Sequence, residues 1–110
     1  VGGVVSTMST AGLKRLELAR ALAMEPRVVL LDEVLAGLVP AERAPMIDLL
    51  RSLHTAGQTV LFVEHIMAAV MALSERLVVM HEGAVLTSGD PRTVVEDPRV
   101  VEAYLGEETA

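Results

Sequence analysis

The chain has 110 residues, 52% hydrophobic and only 2% aromatic, with a formal net charge of −6 and no cysteine. That is enough apolar material for one small domain, while the scarcity of rings argues against base stacking and the acidic balance against nucleic-acid or anionic-membrane partners. Disulfides and thiolate metal sites are excluded, and the longest stretch free of charged side chains, Val1 to Leu13, is shorter than the roughly 20 apolar residues of a membrane-spanning helix.

No secretory signal is visible. The first residue is Val1 and not a methionine, so a piece of a longer protein is expected. After a start rich in Gly, Ser and Thr, the pattern predicts a helix from Gly12 to Met24 with Leu13, Leu16, Ala19 and Ala23 on one face. Ser9 or Thr10 is placed to cap it, and Pro26 to end it. Val28 to Leu31 is apolar at every position, as in a strand covered on both faces of a parallel sheet, and it stops at Asp32 and Glu33. Pro40 then opens a second helix, with Glu42 in the first turn and Gly57 where a left-handed C-terminal cap belongs. Thr59 to Val63 reads as a second strand.

A helix between two strands makes a right-handed βαβ unit, which brings both C-terminal ends to one sheet edge. Glu64 and His65 are therefore expected beside Asp32 and Glu33. Further on, Ile66 to Ser74 reads as an apolar helix. Leu77 to Met80 and Ala84 to Thr87 read as strands turning at Glu82 and Gly83, an antiparallel hairpin that closes the sheet. Asp90-Pro91 and Asp97-Pro98 each place a capping acid before a first-turn proline, predicting short helices to Glu96 and Leu105, with Gly106 ending the second and a frayed tail after it. The expected fold class is α/β: one compact unit, its sheet mostly parallel with a C-terminal hairpin and short helices.

Ligands of open α/β sheets bind outside the carboxyl ends of the strands. Asp32, Glu33 and His65 supply what metal-assisted hydrolysis uses: a carboxylate for Mg²⁺ or its water, a carboxylate to orient the attacking water, and an imidazole for a transferring phosphoryl group. The competing reading is a polar turn beside a structural histidine. Ser9, Thr10, Ala11 and Gly12 stand at a helix N-terminus, either an anion site or an ordinary cap. His54, His81 and the six methionines read as structural, the methionines as core filler.

Taken in order, MSTAG, KRLELARALAMEP, VVLLDE, AGLVP, VLFVEHIM and RLVVMHEGAVLTSGDP resemble the second half of an ABC transporter ATPase domain. The tail EDPRVVEAYLGE resembles the end of the branched-chain amino-acid subgroup. The resemblance covers the whole chain and implies that residues 1–110 are the C-terminal half of one ABC ATPase domain of partial P-loop NTPase-like fold. Within it fall a signature region at 8–24, Walker B at 28–33, the switch histidine at 65 and a C-terminal extension at 90–106, with the P-loop half absent.

The same resemblance implies ATP and Mg²⁺ as cofactors. Asp32 would hold Mg²⁺ through water, Glu33 orient the hydrolytic water, and His65 contact the γ-phosphate. Met8 to Gly12 stand in the place of the signature that closes over ATP held by a second ATPase subunit in a head-to-tail dimer. Membrane permease subunits are the further partners, nucleic acid is not one, and the location implied is the cytoplasmic face of the cell membrane. Branched-chain amino acids are the cargo that the subgroup implies.

Several positions depart from the family pattern. Only Ser9 of the signature is kept, and a methyl group at Ala11 obstructs close backbone approach to a phosphate. Val34 stands where a proline is usual, Ile66 where an aspartate is usual, and Val39 replaces an Asp or Asn that would cap the next helix, a loss of about 1 kcal/mol. Lys14 is the only lysine and Leu13 precedes it, so no Gly-x-x-x-x-Gly-Lys-Ser/Thr loop is present. The readings in competition are an ATPase subunit, a non-catalytic module that pairs with an intact ATPase subunit, and an inactive fragment whose apolar strands are exposed.

Overall fold

Ser9 begins the first helix, its Oγ accepting the Gly12 amide at 3.1 Å. In the computed structural model residues 9–109 are described, with side chains as far as Tyr104; Met8, at the head of the signature-like segment, lies outside the described residues. Helix α1 runs Thr10–Leu22, two residues earlier at each end than predicted, and the residue it buries is Leu18. The predicted apolar face does not turn inward, since Leu13 is 40% exposed. Lys14, Glu17, Leu18 and Ala21, which share one side of the helix, are the α1 residues that line the adjoining cavity.

Strand β1, Val28–Asp32, pairs in parallel with β2, Thr59–Val63, in the register Val28↔Thr59 through Asp32↔Val63. Helix α2, Pro40–Thr55, makes the crossover and buries Met46 and Leu50. Val39 offers no side-chain cap, as predicted, but Glu42 reaches back to accept the Val39 amide at 3.2 Å, so half of the cap function survives the substitution. Gly57 ends the helix with φ +95°, the left-handed conformation expected of it. Next to it Gln58 donates its side-chain amide to the carbonyls of Pro26 and Arg27 at 3.2 and 3.3 Å, tying the start of β2 to the start of β1.

The two faces of this strand pair differ. Val29 is buried, and Leu35 and Leu38 are buried in the turn after β1. The alternate positions face the other way, with Leu30 70%, Leu61 60%, Val63 58% and Val28 48% exposed. The expectation that β1 is covered on both faces therefore holds for one face within the described residues. Composition reads how apolar each face is, whereas coverage depends on what packs there, and a continuous apolar run carries no mark of that.

Residues up to His65 and residues from Ile66 form two compact units, where the sequence predicts one. In the second, α3 spans Met67–Leu73 and buries Ala69 and Val70. Strands β3, Leu77–His81, and β4, Ala84–Gly89, form an antiparallel sheet of their own. The hairpin is thus present, and among the described residues it is a separate two-stranded sheet and not the closing part of the parallel one that the sequence predicts. Glu82 and Gly83 both have positive φ, 51° and 79°, as the two-residue turn matched to strand twist requires.

Asp90 caps α4, Pro91–Val94, accepting the amides of Arg92 and Thr93 at 2.9 and 3.4 Å. Asp97 precedes α5, Pro98–Thr109, and accepts the Arg99 amide at 2.8 Å. Its carboxylate also takes the Arg99 guanidinium at 2.8 and 3.2 Å. Those bonds, the side-chain ones first, hold Asp97 below the usual carboxylate range. Helix α5 continues through Gly106 to Thr109, since one glycine weakens a helix by about 1 kcal/mol and need not end it. The methionines are not uniformly core, for Met46 is 2% exposed but Met24 82% and Met80 64%.

Candidate functional site

The parallel register sets Asp32 opposite Val63, so the residues that follow leave the sheet at the same edge. Glu33 donates its backbone N–H to the Val63 carbonyl at 2.9 Å, extending the ladder one residue past β1. Its φ of +49° is left-handed, a conformation that costs a non-glycine residue about 1–2 kcal/mol. The chain turns away there, and the Glu33 carboxylate comes to lie 3.1 Å from His65 Nδ1.

Both partners of this pair are open to water, with His65 65% and Glu33 49% exposed at the side chain. Glu64 is not: its side chain is 2% exposed, and its Oε1 accepts the His65 backbone N–H at 3.1 Å and lies 3.6 Å from His65 Nδ1. Two carboxylates thus face one ring nitrogen, leaving Nε2 as the ring atom free to meet a ligand. A carboxylate at Nδ1 fixes the imidazole tautomer in this way at many catalytic and metal-binding histidines.

Asp32 is exposed and lines a cavity of about 260 Å³ whose wall includes Lys14, Glu17, Leu18, Met46 and Leu50. The structure therefore brings together Glu33 and His65 as predicted, with Asp32 one residue away in the sequence but on the cavity wall. Ser9 serves as the helix cap, Thr10 is exposed, and Ala11 and Gly12 are half-buried in the first turn of α1. The turn after β1 reaches this helix start, since a Cβ placed on Gly37 would lie 3.8 Å from Thr10 Cγ2. His81 belongs to the second unit, its Nε2 3.7 Å from Glu82 Oε1.

Glu64 has no functional role in the sequence reading. The signal was available: along β2 the exposed positions alternate with Val60 and Phe62, and the next residue on that inward side is Glu64. An acid on an apolar inward face is a group that needs a reason.

Residues 84–110 match the family described as branched-chain amino acid ATP-binding cassette transporter. The chain is 40% identical over 102 residues to the lipopolysaccharide export system ATP-binding protein LptB of Acidithiobacillus ferridurans, covering 93% of the chain and 42% of that protein. It is 42% identical over 104 residues to the high-affinity branched-chain amino acid transport ATP-binding protein BraF of Pseudomonas aeruginosa, covering 92% and 40%. The solved ADP conformation of MJ1267, an ATP-binding cassette of an ABC transporter, superposes with a TM-score of 0.81 at 31% identity over 91% of the chain and 41% of that structure. The chain is similar throughout to the C-terminal part of ABC transporter ATP-binding subunits. It spans about two-fifths of the length of the relatives it matches. The α/β fold class expected from the sequence is that of the ABC cassette, and no described helix is long and apolar enough to cross a membrane.

Proposed function

We propose that this chain forms part of an ATP-hydrolysing subunit of an ABC transporter, with Glu33 as the residue that orients the attacking water. The observation that carries this reading is the contact of the Glu33 carboxylate with His65 Nδ1 at 3.1 Å, formed at the carboxyl edge of a parallel strand pair. In that role Glu33 accepts a hydrogen bond from water in line with the terminal phosphate of ATP, and His65 Nε2 meets the phosphoryl oxygens. Asp32 fits Mg²⁺ because an exposed carboxylate suits a hard cation that keeps most of its waters. No group of three or more His, Cys, Asp or Glu side chains that could hold a metal ion occurs among the described residues. When bound, that cation neutralises charge developing on the phosphate oxygens.

Ser9, Thr10, Ala11 and Gly12 form the surface offered to ATP held by a second ATPase subunit, and membrane permease subunits are the further partners, which places the assembly at the cytoplasmic face of the membrane. The family match over residues 84–110 and the similarity to BraF support branched-chain amino acids as cargo. A non-catalytic module is the second reading, favoured by the half-buried Ala11 where close approach to a phosphate calls for glycine.

Replacing Glu33 separates the two readings. In the protein as its cell makes it, Glu33→Gln should lower ATP turnover about 10²–10⁴-fold and leave ATP binding intact. Unchanged turnover would assign catalysis elsewhere and favour the non-catalytic module, while loss of binding together with turnover would remove the assigned role.

A further inference from the structure

A carboxylate withdrawn from water is unfavourable unless bonds replace its hydration. Glu64 is withdrawn, at 2% side-chain exposure, and its Oε1 is bound by the backbone N–H of the residue whose ring it faces. Backbone amide and ring nitrogen of His65 therefore lie on the same oxygen, at 3.1 and 3.6 Å. Glu33, which holds the hydrogen bond at Nδ1 at 3.1 Å, is half exposed and in its proposed role must turn toward water, whereas Glu64 at 3.6 Å acts on the ring through its charge. An imidazole whose Nδ1 proton rested on Glu33 alone would lose its orientation when that carboxylate turned.

We propose that Glu64 is a positioning residue for His65: it keeps the ring proton on Nδ1 and Nε2 toward the bound phosphate, so that Glu33 is free to serve the water. This rests on the reading of Glu33 and His65 given above. Glu64 acts through the ring and touches no substrate. Because it is screened from solvent and Glu33 is not, the buried carboxylate dominates the tautomer.

The test is the ¹⁵N imidazole spectrum of His65 in the full chain at mildly alkaline pH, assigned by loss of its signals in His65→Asn. The wild type should carry the proton on Nδ1, against the preference of free imidazole in water for Nε2. Glu33→Leu, which removes that acceptor, should leave it there. Glu64→Leu should shift the ratio toward Nε2–H by about tenfold or more, the direction and size expected for removing a buried charge 3.6 Å from the ring nitrogen.

A flip of the ring proton in Glu33→Leu would assign the ring to Glu33 and overturn the proposal, and that measurement stands even if Glu64→Leu fails to fold. An unchanged ratio in Glu64→Leu would overturn it equally. The spectrum requires no turnover, so a failure here is distinct from a failure of the hydrolytic reading.

Discussion

The two compact units differ in how much of their structure is specified locally. From Ile66 onward, β3 and β4 are joined by their own two-residue turn, and α4 and α5 each start at their own Asp-Pro pair. Up to His65, the paired strands come from distant parts of the sequence, a sixteen-residue helix must cross between them, and one apolar face stays open, with Leu30 70% and Leu61 60% exposed. Short-range chemistry suffices for a hairpin. A parallel pair depends on long-range contacts and on a covering for both faces.

The largest stability effect expected from this contrast is in the first unit. Met46 is 2% exposed, so Met46→Ala should cost about 2–5 kcal/mol, read as a lowered urea midpoint. Amides of β1 and β2 should lose hydrogen-exchange protection while those of β3 and β4 keep theirs. Equal loss in both would mean that the two units unfold as one.

A smaller change is expected on the open face. Leu30 and Leu61 are register partners there, and replacing both by Lys should alter stability by about 0.5 kcal/mol or less each, as for other surface positions. Solubility should rise, because an exposed apolar patch is removed. A destabilisation as large as that of Met46→Ala would show that this face is packed in solution.

The smallest effect belongs to the second unit. Asp97 is held below the usual carboxylate range by Arg99, so its contribution is present above the ordinary carboxylate pKa and lost as pH falls through the lowered value. An acid titration of unfolding should therefore flatten over that window in Asp97→Asn compared with the wild type. Identical acid limbs would deny the pair any part in stability.

The legible features were those with short-range causes. Ser9, Gly57, Glu82-Gly83 and the Asp-Pro caps lie where their chemistry predicts, and β2 has the predicted bounds. The meeting of Glu33 with His65 was also readable, because a βαβ crossover fixes which strand ends are neighbours. Long-range facts were less so. Gln58 reaching the Pro26 and Arg27 carbonyls, Glu42 standing in for a missing cap at Val39, and the inward turn of Leu18 instead of Leu13 each depend on what packs nearby. Glu64 was hidden differently: its burial follows from strand alternation, but the bond of its Oε1 to the His65 amide does not.

Among the described non-glycine residues with left-handed backbone, Glu25 and Glu82 sit at ordinary chain reversals, whereas Glu33 sits where the proposed chemistry occurs. At such a position glycine or asparagine is the more comfortable occupant. Selection for thermal robustness alone would therefore drift away from glutamate at position 33, and only a demand for the carboxylate would hold it there. The backbone angle thus makes the proposed catalytic residue one that the local fold alone does not favour.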